Sequence, residues 1–424
     1  MRAIDGDVVL AAGVHPGPGP GAALRAQFPA LLARPDVVYL DSASATQRPR
    51  AVLDAVAAEL AGPAANPGRG SYPWSTAATK RVEAVRAQAA RFVGASSPEE
   101  VVFTSGATAS LNAVALAWGL PSLRDGDEIL YGPHDHVSNV YPWFRLRDLL
   151  ARSGVRIGLV PYRITRSGMP DVADLLGKVS PRTRLITVTH LHGLFGSLAP
   201  VGQLRDGAGA SVRICLDCSQ SGGHLPLNLT GLGVDFAAFS AQKMFGLSGV
   251  GMAYFRAGTH AGLGPFLPGG TGGGPDTSGA PGTVTMPGDL EAGTANVTGI
   301  VALGAALTFL AEAGVELVAA HQTALTAQLV SRLRGIRPVR FLPGPGAGDD
   351  KAGHGIVSFQ LDGARSADVG FALGQAGFYV RAGRNCQPPD SPFADSVRVS
   401  MDLYNSGHEI DRLADHLSSL VSEV

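Results

Sequence analysis

Cysteine is scarce here, with three residues in a chain of 424. So few exclude a disulfide-built scaffold. Lysine is scarce as well: Lys80, Lys178, Lys243 and Lys351 are the only ones, although lysine and arginine together number 34. An excess of Arg, Ala and Gly fits a GC-rich coding sequence and carries no function by itself. A lysine inside an apolar stretch therefore stands out. Charged residues make up 16% and aromatic ones 6%. So low a charge fraction implies that much of the chain is buried or lies in an oligomer contact. Net charge is -1, which excludes bulk electrostatic attraction to nucleic acid or an anionic membrane. No run approaches ~18 uninterrupted apolar residues, the length of a membrane-spanning helix. The N-terminus lacks a basic region followed by an apolar run, so no secretory signal is expected. These absences leave a soluble, cytoplasmic globular protein.

What is present is an alternation of short apolar strands and helical patterns. At 43.5 kDa two domains are expected. RPRAVLDAVAAELAG and TKRVEAVRAQAARFVG carry helical periodicity. EEVVFT, DEILYG, RLITVTHL, VRICLD, DFAAFS and GMAYFR are short and nearly all apolar, as strands of a parallel sheet covered on both faces are. The class is α/β, doubly wound and mostly parallel, with a smaller C-terminal α+β domain. The expected division is an N-terminal segment over 1–37 packing with the small domain, a large domain over 38–300 and the small domain over 301–424. Residues 257–295 are rich in Gly and Pro, and read either as a disordered linker or as a functional loop.

Several residues have the chemistry of a site. Lys243 follows the buried strand DFAAFS; burial lowers a lysine pKa and makes the amine nucleophilic. A surface lysine on a loop is the alternative. Asp217 ends VRICLD, where parallel α/β sheets place ligand-binding groups, unless it only caps a helix. In FTSGATASLN a strand turns through Gly106 into a helix, whose first N–H groups, at Ala107 and Thr108, suit a phosphate. His134 and His136, and His190 and His192, form HxH pairs. No carboxylate or cysteine cluster accompanies them at metal-ligand spacing, so no metal is expected; a lid over a cofactor ring or a satisfied buried His remain. Cys215 and Cys218 form a CxxC on a strand with no second pair. Cys386 lies in the Arg-containing loop VRAGRNCQPP, a setting that suits a nucleophilic sulfur or a chance loop cysteine.

SAQK followed by GLSGVG, with Asp217 26 positions before the lysine and Gln220 between, resembles the pyridoxal 5'-phosphate lysine motif of the class V aminotransferase family. The likeness extends from YLDSASAT to the C-terminal helix and is strongest to the cysteine desulfurase and selenocysteine lyase branch. It implies fold type I and a homodimer with shared active sites acting on a small amino acid. It also implies roles. Lys243 holds the cofactor and moves protons at Cα, Asp217 pairs with the ring nitrogen, and Gln220 approaches the ring hydroxyl. His136 stacks on the ring. Ala107, Thr108, Ser240 and Gln242 hold the phosphate, with Thr294 reaching across to the partner subunit. Arg398 binds the substrate carboxylate, and Arg381 and Cys386 lie on the substrate-facing loop, Cys386 where the branch carries its sulfur acceptor.

The departures from the branch cluster around the substrate. Gln242 replaces a His, Tyr72 replaces another, and His192 with Gly193 stands where an Asn is usual. GRNCQPP replaces GHHCAxP, and the segment from Cys386 to Arg398 is short. The expectation is a lyase or desulfurase cleaving the C–S bond of L-cysteine or, preferentially, of a cysteine S-conjugate in a specialised biosynthetic pathway. Transamination, decarboxylating deamination or epimerisation of an amino acid is the alternative.

Overall fold

The computed structural model describes residues 24–269, 284–347, 353–387 and 391–422. The centre of the Gly/Pro-rich stretch, and all but the end of the 1–37 segment, lie outside the described residues.

A seven-stranded sheet carries the larger part. Its strands are β2 (Val101–Thr104), β3 (Glu128–Tyr131), β4 (Gly158–Pro161), β5 (Thr183–Thr189), β6 (Arg213–Asp217), β7 (Phe236–Ser240) and β8 (Gly251–Phe255), ordered β2-β8-β7-β6-β5-β3-β4. β3 to β7 pair in parallel, whereas β8 runs antiparallel to β7 and β2. Connection length explains the exception. Only residues 241–250 join β7 to β8, too few for a crossover, which takes a dozen or more. That connection carries Lys243. β6 and β7 are buried along nearly their whole length, the condition that their uninterrupted apolar sequence implies.

Helices cover both faces. In Tyr141–Arg152, Trp143, Leu146 and Leu150 form the buried stripe while the charged positions face outward. Helix Val297–Ala313 is apolar on nearly all sides because it packs under both Arg50–Ala61 and Pro73–Phe92. Its start is set by Asn296, whose side chain accepts from the Gly299 N–H at 2.9 Å, and its end by Gly314 at φ 80°. Before it, Glu291 takes the buried Arg86 guanidinium through both oxygens, at 2.5 and 2.9 Å. Among the described residues no single helix is long and apolar enough to cross a membrane.

A second, antiparallel sheet contains β9 (Val339–Phe341), β10 (Ile356–Leu361), β12 (Arg381–Gly383) and β13 (Ser396–Ser400), ordered β12-β13-β10-β9. Helices Val315–Arg334 and Gly407–Ser422 pack together beside it. β1 (Val38–Tyr39) pairs in parallel with β11 (Phe378–Tyr379), and Asp41 bridges to Ser400. The segment after β1, Asp41 to Thr46, is thereby held between the two sheets.

One buried pair joins them. His224 Nδ1 lies 2.9 Å from Gln220 O and Nε2 lies 3.1 Å from Asp402 Oδ2. Two acceptors for two ring nitrogens call for the doubly protonated imidazolium. Burial lowers the His224 pKa, but the Asp402 charge and hydrogen bond outweigh it and the net shift is upward. A raised folded pKa gives stability that is fully present below the unfolded value of about 6.5 and is lost as pH rises through the folded value. His224→Ala should cost about 3–5 kcal/mol, since it leaves Asp402 buried without this partner. Paired thermal melts should show the gap between wild type and variant narrowing as pH is raised. A gap independent of pH would refute the charged pair.

Candidate active site

The two sheets meet over a cavity of about 350 Å³ at the C-terminal ends of β5, β6 and β7. At one end β2 stops at Thr104 and the chain turns through Gly106. Its φ of 144° is closed to ordinary side chains. Helix Ala107–Ala113 follows and continues as a π-helical turn over Val114–Gly119. The opening N–H groups of a helix have no intrahelical acceptor and carry the positive end of its dipole. Ser105 to Ala109 line the cavity there, with Ser240 and Gln242. Thr108 Oγ1 is 2.8 Å from Ser138 Oγ.

Lys243 sits in the short 3-10 turn after β7. Thr46 holds this turn: its Oγ1 donates to Gln242 O at 3.2 Å and accepts from the Phe245 N–H at 2.8 Å. Lys243 is half-buried at the cavity wall. Burial pushes its amine below the ordinary lysine value; Asp217 pulls the other way and Arg398 adds to the depression. Asp217 faces the same cavity, and its Oδ1 accepts from the Ser219 N–H at 2.9 Å and the Ser219 hydroxyl at 2.5 Å. Gln220 Nε2 donates to Ala43 O at 2.8 Å. His136 Nδ1 accepts from the Ser138 N–H at 3.1 Å. Burial first, then the Lys243 charge, lower the His136 ring to about 4, so it is neutral at pH 7 and suited to stacking.

The small sheet supplies the opposite wall. Arg381 and Arg398 are directly opposed across β12 and β13. Arg398 donates to Gly193 O at 2.9 Å, Asp41 Oδ1 at 3.0 Å and Ser44 Oγ at 2.8 Å. Arg381 donates to Ser44 Oγ at 2.9 Å, and its Nη2 lies 3.7 Å from Cys386 Sγ. Two guanidinium groups against the single carboxylate of Asp41 leave the wall positive, fit for a substrate carboxylate.

Twelve of the residues expected from the sequence thus line one cavity. Two do not. Tyr72 is 51% exposed on this chain, and Thr294 is also exposed, lining a separate cavity of about 260 Å³ with Leu267 and Asn296. His192 lines the cavity, yet the main chain occupies both its ring nitrogens. Nε2 is 3.0 Å from His134 O, and Nδ1 accepts from the N–H groups of Leu194 and Phe195 at 3.3 and 3.2 Å. Its ring also stacks on Phe195 at 4.1 Å. That fixes the turn carrying Gly193 and leaves no ring nitrogen for a substrate. Among the described residues no three His, Cys, Asp or Glu side chains gather as a metal site. Cys215 and Cys218 are buried and free, and burial raises both thiols.

Thr189, Ser219 and Asn385 also line the cavity, and no sequence motif marks them. They are ordinary polar residues whose part in the cavity depends on the strand ends around them. Three buried polar atoms of the lining, Thr189 Oγ1, Asn385 Oδ1 and Arg398 Nε, have no partner among the described residues. Such atoms are costly to bury unless a ligand satisfies them. A depressed-pKa amine, a held carboxylate, a neutral imidazole and a helix N-terminus together match an aldehyde, a pyridine nitrogen, an aromatic face and a phosphate.

The fold and the cavity define a pyridoxal-phosphate-dependent enzyme of fold type I. The chain belongs to the aminotransferase class-V family, whose model matches residues 38–413. It is 34% identical over 417 residues to a cysteine desulfurase of Klebsiella pneumoniae, covering 94% of this chain and 97% of that one. It is 32% identical to a probable cysteine desulfurase of Synechocystis, covering 95% and 96%. Among solved structures, the cysteine desulfurase of Thermococcus onnurineus superposes with a TM-score of 0.86 at 28% identity, over 95% of this chain and 98% of that one. CsdA of Escherichia coli gives 0.85 at 27%, over 96% and 99%.

Proposed function

We propose that this enzyme breaks the Cβ–S bond of L-cysteine and passes the sulfur to Cys386, releasing alanine. The observation that carries this reading is the position of Cys386. Its sulfur lines the same cavity as Lys243 and lies 3.7 Å from a guanidinium nitrogen of Arg381. The cysteine desulfurase relatives support it.

Lys243, Asp217, His136, Gln220 and the residues at the start of helix Ala107–Ala113 would hold pyridoxal phosphate. When bound, the cofactor supplies the electron sink that weakens bonds at Cα and Cβ of an amino acid. Arg398 and Arg381 hold the substrate carboxylate. Lys243, uncharged more readily than an exposed lysine, takes a proton from Cα and returns one. The Cys386 sulfur attacks the substrate sulfur. An S–S bond forms as the Cβ–S bond breaks, the electron pair of the broken bond stays with carbon, and Cβ takes up a proton. The proton given up by the Cys386 thiol balances it, so alanine and a persulfide form without an external oxidant.

The cavity, at about 350 Å³, is near the lower end of small-molecule sites, and cofactor and amino acid must share it. Thr294, exposed on this chain, would serve the site of a second copy in a homodimer. The test is a product assay. Cofactor-loaded protein is given L-cysteine or an S-alkyl-cysteine, and alanine and pyruvate are quantified. Alanine from L-cysteine supports the proposal. Pyruvate, chiefly from the S-alkyl compound, would make the enzyme a β-lyase of conjugates and Cys386 incidental; neither product would end the case for C–S cleavage. Arg398→Ala should raise KM for the amino acid on the order of 10²-fold, the loss expected when a buried charged partner is removed. An unchanged KM would reject its role in carboxylate binding.

A further inference from the structure

Cys386 is held in an unusual conformation. It and Asn385 are consecutive residues in the left-handed region, at φ 57° and 50°. Asparagine visits that region readily, whereas a residue such as cysteine is disfavoured there. A strained pair persists only where its surroundings impose it.

The Asn385 side chain is what imposes it. The residue is 6% exposed. Its Nδ2 lies 3.0 Å from Gly383 O, 3.2 Å from Ser396 O and 3.0 Å from Ser396 Oγ. Gly383 and Ser396 are a register pair of β12 and β13. The amide therefore ties the Cys386 turn to the last paired residues of the small sheet, two strands that also carry Arg381 and Arg398. The acceptor half of the amide, Oδ1, is buried and has no partner among the described residues. The opposite amide orientation would set an oxygen against two carbonyl oxygens, so the donors decide the orientation. Just past the cysteine, the Gln387 N–H closes the turn on Arg384 O at 3.0 Å.

We infer that Asn385 is a positioning residue for sulfur transfer: its amide locks the Cys386 turn so that the sulfur is preplaced beside Arg381, facing the substrate. This rests on the reading of Cys386 as sulfur acceptor. The transfer needs two sulfur atoms within bonding reach, and a misplacement of about 1 Å at such a step can cost on the order of 10²-fold. Binding of the amino acid uses Arg398 on β13 and Arg381 on β12, and removal of the Cα proton uses Lys243; none of the three lies in this turn.

The experiment compares wild type, Asn385→Asp and Asn385→Gly, all loaded with pyridoxal phosphate. Aspartate keeps the shape but loses the donors. Glycine accepts the left-handed backbone without strain, so it separates loss of the tie from misfolding. Two substrates are used: L-cysteine, read as alanine, and β-chloro-L-alanine, read as pyruvate, whose chloride leaves without any attacking sulfur. The expected result is a fall in alanine-forming kcat of about 10- to 100-fold in both variants, with KM for L-cysteine and pyruvate formation near wild type. Unchanged alanine formation in both variants would overturn the proposal. So would an equal fall with both substrates, which marks a general structural role. If wild type itself makes no alanine from L-cysteine, the sulfur-acceptor reading has failed and this inference falls with it.

Discussion

Lys243→Ala is expected to lower turnover on the order of 10⁴-fold or more, since in the proposed reading one side chain serves as both nucleophile and proton carrier. The readout need not be activity. Borohydride reduction of the cofactor-loaded wild type should fix the cofactor to the chain and raise its intact mass, with the added mass on the peptide containing Lys243. The variant should gain none. The reason lies in the environment of the amine. Burial disfavours its charged form more than Asp217 favours it, and the nearby arginines add to the effect. A depressed pKa populates the uncharged amine at neutral pH, the form that reacts with an aldehyde. Lys80 and Lys178 lack this setting: Lys178 is paired with Asp174 at 2.7 Å on the surface of the fold. Cofactor fixed equally well to the variant would refute the assignment of Lys243.

Cys386→Ala should reduce alanine formation from L-cysteine on the order of 10³-fold or more, as removal of a nucleophile does. Cofactor binding should remain, because none of the groups expected to hold the ring or the phosphate lies on that loop. Protein-bound sulfur after a single turnover should disappear with it. Cys215 and Cys218 cannot substitute, since both are fully buried and their thiols are pushed well above the ordinary range. Alanine formed at the wild-type rate by the variant would show that the sulfur leaves by another route.

These two residues stood out in the sequence for local reasons. Lys243 follows a run of apolar residues long enough to be a buried strand, in a chain with few lysines. Cys386 lies among Gly, Pro and Arg, where a buried structural cysteine has no place. Asp217 ended an apolar strand in the same way. The departures in the sequence also had structural outcomes. Gly193 lies where an added Cβ would come 3.3 Å from Gln220 Nε2, so this position is tight against the side chain expected to approach the ring. His192 looked available to substrate because its spacing says nothing about its neighbours. In the fold, the main chain of His134, Leu194 and Phe195 takes both ring nitrogens.

What the sequence alone determined follows from burial and local geometry. A strand covered on both faces must be apolar along its length. A lysine after it must be depressed or paired, and a strand–glycine–helix turn presents N–H groups. These constraints act over a few residues and can be read in order. The substrate wall was decided by tertiary structure. Arg398 meets Asp41 and Ser44 across more than 350 residues of chain, and Arg381 meets Ser44 across 337. The tie of Asn385 to Ser396 exists only because β12 and β13 pair in one register. Contacts of that kind depend on which strands become neighbours, a choice made by the packing of the whole chain and carried by no local pattern of residues.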